Sequence, residues 1–476
     1  MRDYLLLYVN GAPVEIRGAE AFRTLTGYVR TERHLTGTKV VCEEGDCGAC
    51  TVLIGRVEEG AMVYRPVNAC ILHLYQLDRA HVVTVEGLAR DGSLSAVQAS
   101  MVHHHGAQCG FCTPGFVTAM TALYEAQAPI TEQAVRDGLT GNLCRCTGYE
   151  PILKAALAVD PAGVPRLNDL YPPEAMRAAF EAVAQEPVHI DAGTQIFCSP
   201  ITVEEAARFK AAHPGVVIVQ GGTDVGVWCN KRGYVPDVVL GLSQIPGMDE
   251  IAVRGGRLDV GGTATLQALE AFVRDLVPAF HGILRLFGSP QIRHAGTLAG
   301  NIGNGSPIAD SLPFLYVMEA ELELAGVNGH RRVGLREFFR GYKTFDLAPD
   351  EMIARIRIPL PEPDETLRLY KVSKRKDLDI STFTAAFRMM ERDGRIERIH
   401  IAYGGVGPVV MRLPQTEAFL AGQAVTLETF VQAGQLAREE IAPISDVRGS
   451  RDFRLQLAET VMLKFYHELA GAEVVA

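Results

Sequence analysis

Two short, apolar-rich runs open the chain, at 3–9 and 13–17, with Asn10-Gly11 between them. Asn-Gly in that position signals a two-residue turn, so the pattern predicts a β-hairpin. A helix over 21–30 is expected to pack on it, and Thr51-Val52-Leu53-Ile54 starts a further strand. The pattern then turns helical. Residues 94–105 read as one helix, and a second begins directly after Cys112, with Thr113 as N-cap and Pro114 at the first helical position. Pro151 sits near the start of another, just after Cys146. From 159 to 200 the pattern loosens, and prolines at 161, 165, 172, 173, 187 and 200 mark a domain boundary. Past it, 216–225 reads as a buried strand running into the Gly221-Gly222 turn, and a second glycine-rich stretch covers 296–310. Asp393-Gly394 predicts a hairpin between strands at 385–391 and 395–403, and 427–440 and 452–469 read as amphipathic helices.

At 476 residues the chain is too long for one core, and roughly three domains are expected. A formal net charge of −10 argues against nucleic acid or an anionic membrane as partner, since both need a basic face. No apolar run approaches the ~20 residues of a membrane span. The start, Met1-Arg2-Asp3-Tyr4, lacks a signal-peptide pattern. A cytoplasmic location is expected, where thiols stay reduced and grouped cysteines more often bind metal than form disulfides.

The cysteines then change the picture. Eight of the ten fall into two groups: Cys42-x4-Cys47-x2-Cys50 with Cys70, and Cys109-x2-Cys112 with Cys144-x-Cys146. The first spacing is that of a plant-type [2Fe–2S] loop. Gly45 and Gly48 suit a loop that curls around a cluster and aims N–H groups at its sulfides. A structural zinc site is the alternative, but zinc knuckles use short C-x2–4-C pairs, and Cys144-x-Cys146 is too close for one. Helices starting after Cys112 and Cys146 would turn their positive ends toward an anionic cluster. His103, His104 and His105 point in different directions on a helix and read as surface residues, and Cys198 and Cys229 as ordinary thiols. No Rossmann or P-loop fingerprint is present. The stretches at 216–225 and 296–310 are either pyrophosphate cradles or tight turns with nothing bound.

The motifs Gln108-Cys109-Gly110-Phe111-Cys112-Thr113-Pro114-Gly115 and Gly141-Asn142-Leu143-Cys144-Arg145-Cys146-Thr147-Gly148-Tyr149 resemble the signatures of the molybdenum hydroxylases. That family includes xanthine dehydrogenase, aldehyde oxidase and carbon monoxide dehydrogenase. The resemblance implies a multidomain α+β chain. Its parts are a β-grasp plant-type ferredoxin domain (1–87), a four-helix [2Fe–2S] domain (88–160), a linker (161–191), a vanillyl-alcohol-oxidase-type FAD domain (192–366) and an α+β C-terminal flavoprotein domain (367–476). It further implies two [2Fe–2S] clusters, one on Cys42, Cys47, Cys50 and Cys70, the other on Cys109, Cys112, Cys144 and Cys146. For FAD, Ile218, Val219, Gln220, Gly221, Gly222, Thr223, Asp224 and Val225 would wrap the pyrophosphate. Phe287 matches an aromatic beside the cofactor, Thr297, Gly300, Asn301, Asn304 and Asp310 match further contacts, and Lys371 would approach the flavin. Asp377 and Asp379 would lie in a loop near the ring, or in a merely solvated loop. Gly222, Asp224 and Asn304 stand where animal xanthine dehydrogenases usually show Asn, Glu and Thr.

The flavin domain accounts for the remaining length, so the resemblance implies a separate, larger molybdopterin-binding subunit. This domain order is similar to that of the small subunits of bacterial xanthine dehydrogenases. On that likeness, electrons from hypoxanthine or xanthine hydroxylation on the partner pass through the clusters to FAD and on to NAD+, in a dimer of two-subunit units. No catalytic side chain is expected on this chain. The same module could serve an aldehyde or N-heterocycle hydroxylase, or the chain could be a stand-alone NAD(P)H-dependent reductase or a zinc-binding interaction module.

Overall fold

The computed structural model describes residues 1–471, so the last five residues of the expected 367–476 domain lie outside the described residues. The chain folds as two units, Met1–Pro246 with Gly288–Gly296, and Gly247–Phe287 with Thr297–Ala476. The division cuts through the expected 192–366 domain.

In the first unit a mixed five-stranded sheet runs in the order Ala12–Arg17, Tyr4–Val9, Ala80–Val83, Thr51–Glu58, Ala61–Asn68. The opening hairpin turns where expected, with Asn10 and Gly11 both at positive φ, 48° and 84°. Leu5, Leu7 and Val9 alternate into the core. Tyr4–Val9 pairs in parallel with Ala80–Val83, which requires a long crossover between them. The crossover carries the first cysteine loop. The expected helix at 21–30 is shorter: Gly18–Phe22 is a 3₁₀ turn, and the α-helix Leu25–Thr31 begins only after Thr24, whose hydroxyl caps Gly27 N–H at 3.2 Å. A buried Arg2–Asp78 ion pair (2.8 Å) anchors the chain start, and Asp78 also accepts from Leu6 N–H and from Gln244.

Four helices follow: Ala96–His103, Thr113–Glu125, Glu132–Gly138 and Glu150–Ala158. They share a core of Val97, Met101, Phe116, Met120, Val135 and Ile152. Cys112, not Thr113, occupies the N-cap position, and Pro114 falls one residue further into the first turn. The stretch 161–191 is ordered rather than loose. It holds the helices Leu167–Leu170 and Glu174–Ala182 and the strand Val188–Asp191. Phe180 packs edge-on against Tyr8 at 5.6 Å, and Tyr171 O–H donates to Gly87 C=O at 2.7 Å. The prolines limit the length of these elements without detaching them. Val188–Asp191 is the first strand of a four-stranded sheet continued by Ile196–Ser199, Val238–Leu240 and Val217–Ile218. The strand expected ahead of the Gly221-Gly222 turn is only Val217–Ile218, at the sheet edge. Gly222, at φ 67°, ends the turn and opens the helix Thr223–Arg232.

The second unit has an antiparallel sheet in the order Ile251–Arg254, Arg257–Gly261, Met352–Pro359, Glu321–Gly326, Gly329–Gly334. Its core joins Leu258, Val260 and Ile356 to Phe280 and Phe314, whose rings stack at 3.9 Å. A four-stranded sheet follows: Glu365–Val372, Phe383–Arg392, Arg395–Gly404 and Met411–Arg412. Asp393 and Gly394 make the expected turn, both at positive φ. Phe387 of this sheet stacks on Phe465 of the helix Arg451–Leu469 at 4.6 Å. Among the described residues no helix is long and apolar enough to cross a membrane.

The hairpin turn rests on a buried histidine. His81 Nε2 accepts from Gly11 N–H at 3.0 Å, and Nδ1 bonds Tyr64 O–H at 2.8 Å. Burial lowers its pKa to about 4, so the folded state keeps it neutral where the unfolded chain protonates. Stability therefore falls as pH drops from 6.5 toward 4, with His81 contributing about 2 kcal/mol of the loss between pH 7 and 5. His81→Gln should flatten that segment of the curve of urea midpoint against pH, and an unchanged slope would refute the assignment.

Candidate functional site

The first cysteine loop lies between the helix Leu25–Thr31 and the strand Thr51–Glu58, and Cys70 follows the strand Ala61–Asn68. Gly45 and Gly48 take positive φ, 76° and 66°, and bend the loop back on itself. The structure brings all four cysteines together. Cys42 hydrogen-bonds both Cys47 and Cys70, and Cys70 bonds Cys50. These contacts hold the Cys42 and Cys50 thiols low and push Cys47 and Cys70 up, since close sulfurs do not all ionise freely. Asn68 ties the group to the loop, with Nδ2 donating to Gly45 C=O at 2.6 Å and Oδ1 3.8 Å from Cys50 Sγ.

The second group lies where two helices begin. Cys109 and Cys146 are exposed and their sulfurs are 3.5 Å apart, while Cys112 bonds Cys144. Burial first, then Cys144, pushes the Cys112 thiol up to about 12. Thr147 O–H donates to Cys144 Sγ at 3.2 Å. Tyr149, at φ 72°, caps the helix Glu150–Ala158 while its O–H accepts from Cys144 N–H at 3.0 Å. Both helix N-termini therefore adjoin the sulfurs and favour their negative charge. Among the described residues no three such ligands focus on a single ion. The sulfurs of the first group meet in the run Cys47–Cys42–Cys70–Cys50 and those of the second in the pairs Cys109–Cys146 and Cys112–Cys144, and a [2Fe–2S] core takes four such cysteines over two irons. The donor sets suit the cluster.

The two groups abut through backbone. Leu143 N–H donates to Cys47 C=O at 3.0 Å. A Cβ on Gly48 would lie 2.2 Å from Gly141 O, and one on Gly115 the same distance from Gly48 O. On the far side of the first loop, Asn230 Nδ2 donates to Cys70 C=O at 2.8 Å and to Glu43 C=O at 3.0 Å. Asn230 lies on the helix Thr223–Arg232, so the Gly221-Gly222 turn that opens this helix adjoins the cysteine loop. A small cleft there is lined by Val67, Asn68, Ile71, Leu72, Gly221, Thr223, Gln291 and Ala295.

Within the expected flavin segment, the side chains of Val219 and Val225 go to the core. Ile218 is in the edge strand, leaving backbone as what these positions could offer a ligand. Gly221 lies against Ala295 O, where a Cβ would come within 2.1 Å. Gln220 keeps a buried Oε1 without a partner, and the N–H groups of Gly222, Thr223 and Asp224 lie at a helix start. The glycine turn and the N–H donors of the helix N-terminus fit a pyrophosphate cradle, whereas the Gln220 Oε1 acceptor does not contribute to one.

In the second unit, Thr297 caps the helix Leu298–Asn304 by accepting from Gly300 N–H at 3.0 Å. Asn304 closes that helix, and Asn301 accepts from Ser311 O–H at 2.6 Å. Asp310 and Lys371 form an ion pair at 2.6 Å with side chains only 8% and 4% exposed. Lys371 also donates to Leu286 C=O, beside the half-buried Phe287, and Ser381 O–H donates to the other Asp310 oxygen at 2.5 Å. Sequence reasoning paired neither Lys371 with Asp310 nor Ser381 with either, since they lie far apart in the chain. Asp379 is tied to Arg375, accepting its N–H at 2.9 Å. His103 and His104 contact each other edge-on at 4.9 Å. Burial pushes the Cys198 thiol up to about 12 and raises Cys229, as ordinary thiols.

Comparison with known proteins agrees with this architecture. The family model described as a [2Fe-2S] binding domain matches residues 84–157. That of the FAD binding domain in molybdopterin dehydrogenase matches 191–361, and that of the CO dehydrogenase flavoprotein C-terminal domain 368–469. Xanthine dehydrogenase from Emericella nidulans is 28% identical over 98% of this chain and 39% of its own length. The Gallus gallus xanthine dehydrogenase/oxidase is 28% identical over 98% of this chain and 40% of its own. The chain thus spans about two fifths of these curated relatives. Carbon monoxide dehydrogenase from Hydrogenophaga pseudoflava superposes with a TM-score of 0.54 at 26% identity, covering 56% of this chain and 94% of that one. Quinoline 2-oxidoreductase from Pseudomonas putida 86 gives 0.53 at 27%, covering 57% and 95%. Domains for [2Fe–2S] and FAD on one chain define an iron–sulfur flavoprotein built for electron transfer. The chain belongs to the molybdenum hydroxylase family, as its iron–sulfur/FAD module.

Packing at Gly226 tests the close approach between the Thr223–Arg232 helix and the cysteine segment. A Cβ there would lie 2.2 Å from Ile71 O, which is backbone and cannot swing away. Gly226→Ala should gain up to ~1 kcal/mol of helix propensity but cost about 1–3 kcal/mol in overpacking, so a net loss is expected in urea unfolding. A stabilised variant would show the contact to be loose.

Proposed function

We propose that this chain is the electron-transfer subunit of a xanthine dehydrogenase, drawing electrons from a larger molybdopterin-binding subunit that hydroxylates hypoxanthine or xanthine. On this reading one [2Fe–2S] cluster is held by Cys109, Cys112, Cys144 and Cys146 in the helical domain, and another by Cys42, Cys47, Cys50 and Cys70 in a β-grasp ferredoxin domain. When bound, the clusters supply one-electron carriers and FAD the two-electron exchange with NAD+. The observation that carries the order is the run of hydrogen bonds through the first unit. Leu143, next to Cys144, bonds Cys47, and the carbonyl of Cys70 bonds Asn230 on the helix after the Gly221-Gly222 turn.

The chain's own residues position and charge-match the carriers. The eight thiolates would hold the iron, and the starts of the Thr113–Glu125 and Glu150–Ala158 helices would offset negative charge at the second group. Backbone N–H groups from Gly221 to Asp224 would bind the FAD pyrophosphate in a vanillyl-alcohol-oxidase-type domain, with Thr297, Gly300, Asn301 and Asn304 as further contacts. Lys371, fixed by Asp310, brings a buried ammonium for the flavin. No proton transfer in purine hydroxylation falls to this chain, so no catalytic residue is assigned. The domain limits 1–87, 88–160, 192–366 and 367–476, a cytoplasmic location and a dimer of two-subunit units belong to the same reading. The CO dehydrogenase and quinoline oxidoreductase neighbours favour a second one, the same module serving a hydroxylase for another substrate.

Purification through a tag on this chain tests the proposal. A large molybdenum-containing partner, about four Fe per chain, FAD and xanthine-dependent NADH formation are expected. Partner and molybdenum without purine turnover would move the substrate elsewhere, and zinc in place of iron would sink the reading. Cys112→Ser should lower iron to about two per chain while retaining FAD. Lys371→Met leaves the Asp310 carboxylate buried and unpaired, which costs about 3–5 kcal/mol. The variant should release FAD on gel filtration and melt earlier, and full FAD retention would remove Lys371 from the site.

A further inference from the structure

Where the two cysteine loops meet, a third segment closes the junction. The turn Pro290–Arg293, capped by Ser289 accepting from Ile292 N–H at 3.2 Å, presents Gln291 with only 1% of its surface exposed. Gln291 Nε2 donates to Asn142 Oδ1 at 2.9 Å and to Thr51 Oγ1 at 3.2 Å. Asn142 Nδ2 in turn donates to Gly48 C=O at 3.0 Å, and Thr51 O–H donates to the same carbonyl at 2.6 Å. The side chain of Gln291 therefore grips Asn142 from the second loop and Thr51 where the first loop ends, and both of those residues donate to the carbonyl of Gly48, the residue after Cys47. Gln291 Oε1 lies against Gly141, where a Cβ would come within 1.9 Å. Asn142 is followed by Leu143, whose N–H donates to Cys47 C=O at 3.0 Å, and Leu143 by Cys144. Cys47 and Cys144 are thus joined through covalent bonds and a single hydrogen bond, flanked by the Gln291 node. Gln291, Asn142, Thr51 and Gly48 are buried, so breaking the node strands polar atoms away from water and loosens the register of both loops.

We propose that Gln291 is a positioning residue that locks the two cysteine loops together and so sets the electronic coupling between the clusters they hold. The proposal rests on the two-cluster reading above. It assigns Gln291 no contact with substrate, iron or flavin. Its effect runs through Asn142, Thr51 and the Cys47–Leu143 hydrogen bond.

The test uses the tagged full chain with its co-purifying partner. Gln291→Met keeps the length and volume of the side chain but removes both donors. Iron per chain, each reduced cluster's own g-values, and the magnetic splitting between the clusters are read by metal analysis and electron paramagnetic resonance. Electron transfer between the clusters is timed after pulse reduction. With iron content and individual g-values unchanged, narrowing or loss of the splitting and a severalfold slower transfer are expected. Thr51→Val removes one acceptor of the node and should shift both readouts the same way, less strongly. If Gln291→Met loses iron, Thr51→Val carries the test. Either variant with full iron and wild-type splitting and rate overturns the proposal. A wild-type chain with fewer than two clusters overturns the underlying reading instead, and the proposal with it.

Discussion

Close approach of backbone to backbone is the constraint on which the first unit depends. Where the cysteine loops touch each other, and where one touches the Thr223–Arg232 helix, the contact on at least one side is a glycine lying against a carbonyl. Gly48 against Gly141 and Gly226 against Ile71 leave only 2.2 Å for a Cβ. A Cβ at either position would have to push the segments about 1 Å apart to reach ordinary contact, straining the hydrogen bonds from Leu143 to Cys47 and from Asn230 to Cys70. Electron transfer weakens steeply with separation, so the spacing that serves packing also serves function. Glycine costs helix stability at Gly226, and that loss is accepted for the sake of the contact.

Charge is handled locally in each unit. At the second cysteine group, helix ends and single polar hydrogens such as Thr147 O–H meet the sulfurs. In the second unit a buried lysine is neutralised by Asp310, which is itself held by Ser381. An ion pair this deeply buried contributes little net stability against an apolar alternative, yet it is costly to break from one side. Its value lies in holding one ammonium in one place. Arg2–Asp78 plays a purely architectural version of this role, tying the chain start to the sheet and to Gln244.

Much of the site was legible in the chain because its signals are local. The cysteine spacings, the Asn10-Gly11 and Asp393-Gly394 turns and the proline-led helices each need only a few neighbouring residues to be recognised. Errors arose where distant segments decide. The stretch 161–191 looked like a linker because its prolines break periodicity, yet Phe180 and Tyr171 pack it onto Tyr8 and Gly87. The run at 216–225 read as a strand into a glycine turn, but only Val217–Ile218 is strand, and the helix that follows the turn was not read. In the fold its second half becomes a helix start, since Gly222 turns the chain. Thr113 had the right chemistry for a cap, but Cys112 holds that position.

By itself the sequence marked the two cysteine groups, because their close spacings, Cys42-x4-Cys47-x2-Cys50, Cys109-x2-Cys112 and Cys144-x-Cys146, are local patterns. It also determined where chains turn, because positive φ selects Asn, Asp and Gly. Tertiary structure alone decided which groups become neighbours. Cys47 meets Leu143, Cys70 meets Asn230, Lys371 meets Asp310, and Gln291 joins Thr51 to Asn142. These partners lie tens to hundreds of residues apart, and no local pattern marks them. They are found only once burial of the apolar cores has fixed the strands and helices that bring them together.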